Sequence, residues 1–168
     1  MKFVGMIFIF LAGVWAGMAA SSALNKRVSV FEQLERFVVY LETQIRYSAA
    51  PIHEILKQST KGEFSKLLFL SETANRMCKG ECPSDAWENA LRLHSDENAL
   101  NSNDRELLID FGRGLGTSDV EGQLLHCETF RGLIVDRLAK ARSEVETKGK
   151  LYVSLGIAGG LGVALLLY

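Results

Sequence analysis

The sequence predicts an all-α fold: a six-helix bundle of antiparallel helical hairpins, flanked by two transmembrane helices. Three observations carry that prediction. Apolar residues recur at steps of three and four along most of the chain, the period of a helix face. Two prolines and few β-branched clusters leave no run that reads as a strand. Both ends are apolar and uncharged, although the chain as a whole is 23% charged with a net charge of -1. That near-neutral balance gives no sign of a nucleic-acid binder.

Phe3 to Leu24 carries no charge, and at about 1.5 Å per residue it is long enough to cross a hydrocarbon core of about 30 Å. Lys2, the apolar body and the small residues Ala19 to Ala23 also suit a cleaved signal peptide. Lys26 and Arg27 directly after the stretch act as a retention signal, so residues 1–25 are expected to remain as an N-terminal anchor. At the other end Leu151 to Tyr168 is equally uncharged, with Tyr152 and Tyr168 suited to a membrane interface, and gives a second span over 151–168. Lys26, Arg27, Lys140, Arg142, Lys148 and Lys150 border the middle, and the positive-inside bias then puts residues 26–150 in the cytoplasm. Gly13 with Gly17 and Gly156 with Gly160 have the spacing that lets helices touch in lipid, which leaves a homo-oligomer open. Neither stretch holds an acid or base that a proton or ion path would need.

The first helix of the middle, about Lys26 to Tyr47, presents Phe31, Leu34, Val38, Leu41 and Ile45 on one face and can continue the first span. Pro51 suits the first position of a short second helix over Ile52 to Gln58. Lys61-Gly62 is a break, and a third helix is expected from Phe64 to Lys79 with Gly80 as its stop. Pro83 opens a fourth helix through Leu93, whose inward stripe is Ala86, Trp87, Ala90 and Leu91. His94 to Ser102 is polar and reads as a loop, after which Asn103 with Glu106 is expected to cap a fifth helix ending at Gly116.

The fifth and sixth helices meet in a hinge, Leu107 to Gln123. Leu107, Leu108, Phe111 and Leu115 recur at helical spacing, Gly116 is free to take the left-handed stop conformation, and Ser118 with Glu121 offers a capping box. The sixth helix, Ser118 to Lys150, carries a seam of Val120, Leu124, Cys127, Arg131, Ile134, Leu138, Ala141 and Val145, broken once by the arginine. At about 50 Å it is longer than the short helices need, so its far end is expected to serve as a stalk. Glycines 112, 114 and 116 do not make a phosphate loop, since no strand precedes them and no Gly-Lys-Ser/Thr follows. Gly112 instead lets helices approach closely, Gly114 weakens the last turn and Gly116 ends it.

No catalytic, cofactor or metal site is expected. His53, His94 and His126 fall in three different elements, and neighbouring His126 and Cys127 point about 100° apart on a helix. His126 therefore reads as a surface histidine beside a seam cysteine. Cys78, Cys82 and Cys127 read as ordinary reduced thiols, because Cys78 and Cys82 lack the two-residue gap of zinc or thioredoxin-like sites. The candidate site is the hinge: Phe111, Gly112, Leu115, Gly116, Asp119 and Gln123. Asp119 and Gln123 stand one turn apart and either hold the hinge together or meet a partner.

Taken in order, Leu41-Glu42-Thr43 with Ile45 and Tyr47, Pro51, Ala86-Trp87 with Ala90-Leu91, Phe111-Gly112, Leu115-Gly116, Ser118-Asp119, Gln123, and Lys150 with Tyr152, Leu155-Gly156 and Gly160 resemble the stage III sporulation protein AB family. The resemblance implies a cytoplasmic helical domain similar to those of F-family secretion and pilus platform proteins. It implies a non-enzymatic platform or scaffold subunit in the mother-cell membrane facing the forespore, within the complex that links the two. It also implies a companion ATPase and other subunits of that channel complex as partners. The alternative from the residues alone is an exported protein with a cleaved signal peptide and a C-terminal anchor, serving as an extracellular binding module.

Overall fold

The computed structural model describes residues 2–48, 50–94 and 99–149 with six residues of 151–162, and side chains from residue 11 onward. Among these residues the chain is all-α, with α1 (Lys2–Tyr47), α2 (Ile52–Ser59), α3 (Leu68–Cys78), α4 (Pro83–Leu93), α5 (Ser102–Gly114) and α6 (Val120–Glu144), followed by π-helical Val145–Gly149. It forms two compact units: an end unit of Met1–Val28 with Ala139–Tyr168, and a helical body of Ser29–Leu138.

In the body, α2 packs on α3, α3 on α4 and α4 on α5, the neighbour-on-neighbour order of helical hairpins. Each hairpin has a local cause. Gly80 adopts φ +90° just past α3, a conformation that costs a side-chain-bearing residue. Arg76 secures that end, 2.8 Å from Glu72 and 3.2 Å from Glu81 across the turn. Pro83 then opens α4, where its missing N–H costs no helical bond.

The core centres on Trp87, which is 1% exposed. Phe69 meets its ring edge-on at 5.2 Å, Phe111 does so at 5.6 Å, and Phe37 lies tilted at 6.5 Å. The indole Nε1–H donates to the Leu108 carbonyl at 2.7 Å, so the one polar atom of the ring is satisfied where water is excluded. Gly112 makes this approach possible: a Cβ there would stand 2.2 Å from Trp87 Cδ1.

Several element boundaries differ from the sequence expectation. Pro51 stands before α2 as its cap rather than inside it, with extended backbone at φ -63°, ψ 148°. α3 begins at Leu68 rather than Phe64, because Phe64 and Leu67 are buried from a turn and Leu67 at ψ 75° interrupts any helix there. α5 is capped by Asn101 rather than Asn103. Asn101 Oδ1 accepts the Asp104 N–H at 2.8 Å, and Asp104 Oδ2 accepts the Asn101 N–H at 3.2 Å, a reciprocal box that Asn103 with Glu106 does not form. α5 stops at Gly114, and α6 gives way to a π-helical turn at Val145 where one uninterrupted helix to Lys150 was expected.

In the end unit, Arg27 is 8% exposed and donates to Glu144 at 2.8 Å, with Lys148 3.7 Å from the same carboxylate's other oxygen. The two expected membrane spans do not carry over to the described residues: among these no helix is long and apolar enough to cross a membrane. The side chains described in the first stretch run only from Leu11 to Leu24, after which come Asn25, Lys26 and Arg27. The side chains of residues 2–10 and most of 151–168, the bulk of the second stretch with Gly156 and Gly160, lie outside the described residues.

Two glycine substitutions are expected to act in opposite directions. Gly112→Ala drives a methyl into the Trp87 ring and costs about 1–3 kcal/mol. Gly132→Ala meets nothing within 4 Å on the exposed side of α6 and stabilises by about 0.5–1 kcal/mol. Urea unfolding of the two full-length variants, followed by tryptophan fluorescence, measures both signs.

Candidate functional site

The hinge between α5 and α6 is held by one side chain. Leu115 leaves the helix at φ -68°, ψ 124°, and Gly116 turns the chain back at φ +77°. Gln123, one turn into α6 and 5% exposed, then closes the loop from inside. Its Nε2 donates to the Gly114 carbonyl and to Ser118 Oγ, each at 2.9 Å, and its Oε1 accepts the Gly116 N–H at 2.9 Å. The orphan groups at the end of α5 thus find their partners on α6. Asp119 supplies the start of α6: its Oδ1 accepts the Gly122 N–H at 3.0 Å. This is the cap expected of Ser118, whose hydroxyl is occupied by Gln123 instead.

The six candidate residues therefore divide by exposure. Phe111 and Gly112 lie in the core, Leu115 is 4% exposed, and Gln123 is enclosed in the loop it ties. Gly116 and Asp119 reach solvent.

His126 was missed as part of this structure. It is half-buried rather than a surface residue, stacks parallel on Phe111 at 5.3 Å, and lies 4.7 Å from Phe130. Its Nε2–H donates to the Phe111 carbonyl at 2.8 Å. Gly114 leaves the space, since a Cβ there would stand 2.1 Å from His126 Cε1. Gly114 therefore admits a ring as Gly112 does, beyond the weak last turn its sequence suggests.

Cys127, next along α6, is fully buried, whereas Cys78 and Cys82 are exposed; all three are free thiols. Burial, with the nearby Glu42 carboxylate adding to it, pushes the Cys127 thiol from 9.0 up to about 12. The thiolate needed for nucleophilic chemistry is therefore negligible at neutral pH. Among the described residues no cluster of His, Cys, Asp or Glu could hold a metal ion.

The arginine in the α6 seam is explained by α1. Arg131 Nη1 lies 3.3 Å from Glu42 Oε2, an ion pair in the lining of an open groove between the C-terminal turns of α1 and the first turns of α6. The groove has a volume of about 660 Å³ and is lined by Glu42, Arg46, Glu121, Leu124, Leu125, Glu128 and Arg131, with the backbone of Gly122.

The family described as Stage III sporulation protein AB (spore_III_AB) matches the chain over residues 2–168. "Stage III sporulation protein AB" of Bacillus subtilis (strain 168) is 28% identical to it over 169 residues, with 99% of each chain covered. A solved structure of "Stage III sporulation protein AB (SpoIIIAB)" superposes with a TM-score of 0.64 at 26% identity, covering 71% of this chain and 96% of that one.

Two measurements check the hinge and the thiol. Gln123→Ala is expected to cost about 1–3 kcal/mol in denaturant unfolding, because it removes the three hydrogen bonds of a buried amide. Asp119→Ala costs about 1 kcal/mol, while Asp119→Asn, an equally good cap, is close to neutral. In native protein at pH 8 a maleimide labels Cys78 and Cys82 and spares Cys127, which reacts only after denaturation. The raised Cys127 pKa favours the fold fully below the unfolded thiol value of 9.0. That contribution is lost as pH rises toward about 12.

Proposed function

Because the chain belongs to the stage III sporulation protein AB family, we propose that it is a non-enzymatic platform subunit of the sporulation complex linking mother cell and forespore. In this reading its ends anchor it in the mother-cell membrane, and its helical body faces the cytoplasm and docks a companion ATPase. The observation that carries the reading is the family match over residues 2–168, which spans the helical body together with both uncharged ends.

The physical arrangement supports it. The uncharged stretches 3–24 and 151–168 are each followed or preceded by basic residues, the pattern that retains a segment in lipid and holds the intervening chain on the cytoplasmic side. The body is a packed set of short helices whose last hinge is tied by Gln123 and whose core is keyed by Trp87 on Gly112. A subunit that transmits force from a motor to a membrane assembly needs that stiffness at its joints. The groove beside α6 offers a surface for a protein partner.

The test is affinity purification of the tagged chain from membranes of sporulating cells. The wild-type chain is expected in the membrane pellet and to bring the ATPase with it; a Gly112→Leu chain that reaches the pellet brings markedly less. A chain found only in the soluble or external fraction overturns the anchored reading, and a membrane-bound chain that recovers no ATPase overturns the docking role.

A further inference from the structure

The net charge of -1 conceals a separation. The helical body, residues 29–138, holds 12 Lys and Arg against 18 Asp and Glu, a net of -6, while the residues of the end unit hold 7 against 2, a net of +5. The body therefore presents a negative field of its own, which favours encounter with cationic partners and repels anionic ones.

Within that field lies the groove between α1 and α6. Two apolar side chains line it: Leu124 is half-buried and Leu125 is 65% exposed, a large side chain left in water beside a concavity. Its walls carry the carboxylates of Glu42, Glu121 and Glu128. Glu42 gives one oxygen to Arg131, and its buried Oε1 has no hydrogen-bond partner. Glu121 and Glu128 are exposed, and neither stands in an ion pair among the described residues. Of the two cations in the lining, Arg131 is already held by Glu42, leaving Arg46 at the α1 end against two unpaired carboxylates on α6.

From this we infer that the groove docks a protein segment that sets an arginine or lysine beside an apolar side chain, the cation meeting Glu121 and Glu128 and the apolar group covering Leu124 and Leu125. An acidic segment or an anionic lipid surface meets the same two carboxylates and the net -6 of the body, and is disfavoured on both counts. A segment that is only basic leaves Leu125 in water, and one that is only apolar buries two carboxylates without partners. The inference deepens the docking role proposed above and rests on it for the natural partner. The experiment below uses no ATPase, so its failure is distinct from a failed co-purification.

The full chain is placed in phosphatidylcholine nanodiscs and titrated with a fluorescent amphipathic peptide of about 16 residues that carries leucines on one helical face and arginines along its edges. A matched peptide with glutamates for arginines is the comparison. Binding is followed by anisotropy. The arginine peptide is expected to bind and the glutamate peptide not to, with affinity falling as salt rises. Glu121→Gln with Glu128→Gln weakens the arginine peptide about tenfold, and Leu125→Ser does so to a similar degree. Glu88→Gln with Asp110→Gln, which removes the same charge from the α4–α5 surface, leaves it unchanged. All of these residues are at least partly exposed, so the variants keep the fold. Equal weakening by the α4–α5 pair assigns the binding to the overall field and overturns the groove. So does unchanged binding by the groove pair, or equal binding to empty nanodiscs. Self-association of the chain that the groove pair abolishes would make a second copy the occupant and overturn the inference as stated.

Discussion

The Trp87 indole lying against the bare backbone of Gly112 is the contact on which the helical body depends. A buried indole N–H has to be paired, and the acceptor it finds is the Leu108 carbonyl of α5. To reach it, the ring must enter the volume that any side chain at position 112 would fill. From this single ring the aromatic contacts spread in both directions. Phe37 and Phe64 lead back to Tyr40 of α1, Phe69 brings in α3, and Phe111 passes the chain of rings to His126 and Phe130 of α6. Five helices are thereby indexed to one side chain. Ring pairs of this kind contribute about 0.5–1.5 kcal/mol each beyond the area they bury.

The second glycine of the hinge helix explains why α5 is the axis of this arrangement. Residues two apart on a helix point about 200° from one another. Gly112 therefore opens α5 toward Trp87 of α4, and Gly114 opens the opposite side toward His126 of α6. A helix entered by rings from both sides cannot shift without colliding with one of them. Its ends are fixed as firmly, by the Asn101–Asp104 box at the start and Gln123 at the finish. Gln123 differs from an ordinary cap in that it belongs to the following helix, so the end of α5 and the angle at which α6 departs are set by the same amide.

Much of this was legible in the residues. The all-α class, the stop at Gly80, the left-handed turn at Gly116, the opening of α4 by Pro83 and the close approach at Gly112 follow from local chemistry, because glycine or proline is the residue favoured at each of these positions. What could not be read was the identity of the partner across space. Nothing in the sequence near Gly112 points to Trp87, twenty-five positions earlier, and His126 looks like a surface residue until Phe111 is known to lie beneath it. The caps moved for a related reason: Asn101 and Asn103, or Ser118 and Asp119, are equivalent by type, and at α5 it is Asn101 that stands extended ahead of the helix. The arginine in the α6 seam was visible as an exception, and its explanation, Glu42, lies eighty-nine residues away.

That exception determines more than its own energy suggests. Arg131 and Glu42 are 40% and 19% exposed, and a pair so placed contributes little to stability. Its effect is on register. An apolar seam of leucine, isoleucine and alanine accepts α6 at more than one height against α1, whereas a slip of one turn, about 5.4 Å, carries the guanidinium away from its carboxylate and leaves both charges half-buried. The pair thus selects one height, and that height sets Glu42 and Arg46 of α1 opposite Glu121, Leu124, Leu125 and Glu128 of α6 along the groove. It does not exhaust the charge of Glu42, whose second oxygen has no partner and whose field reaches the Cys127 thiol. The register that packs the body therefore also fixes which charges of α1 face the carboxylates that α6 offers to a partner.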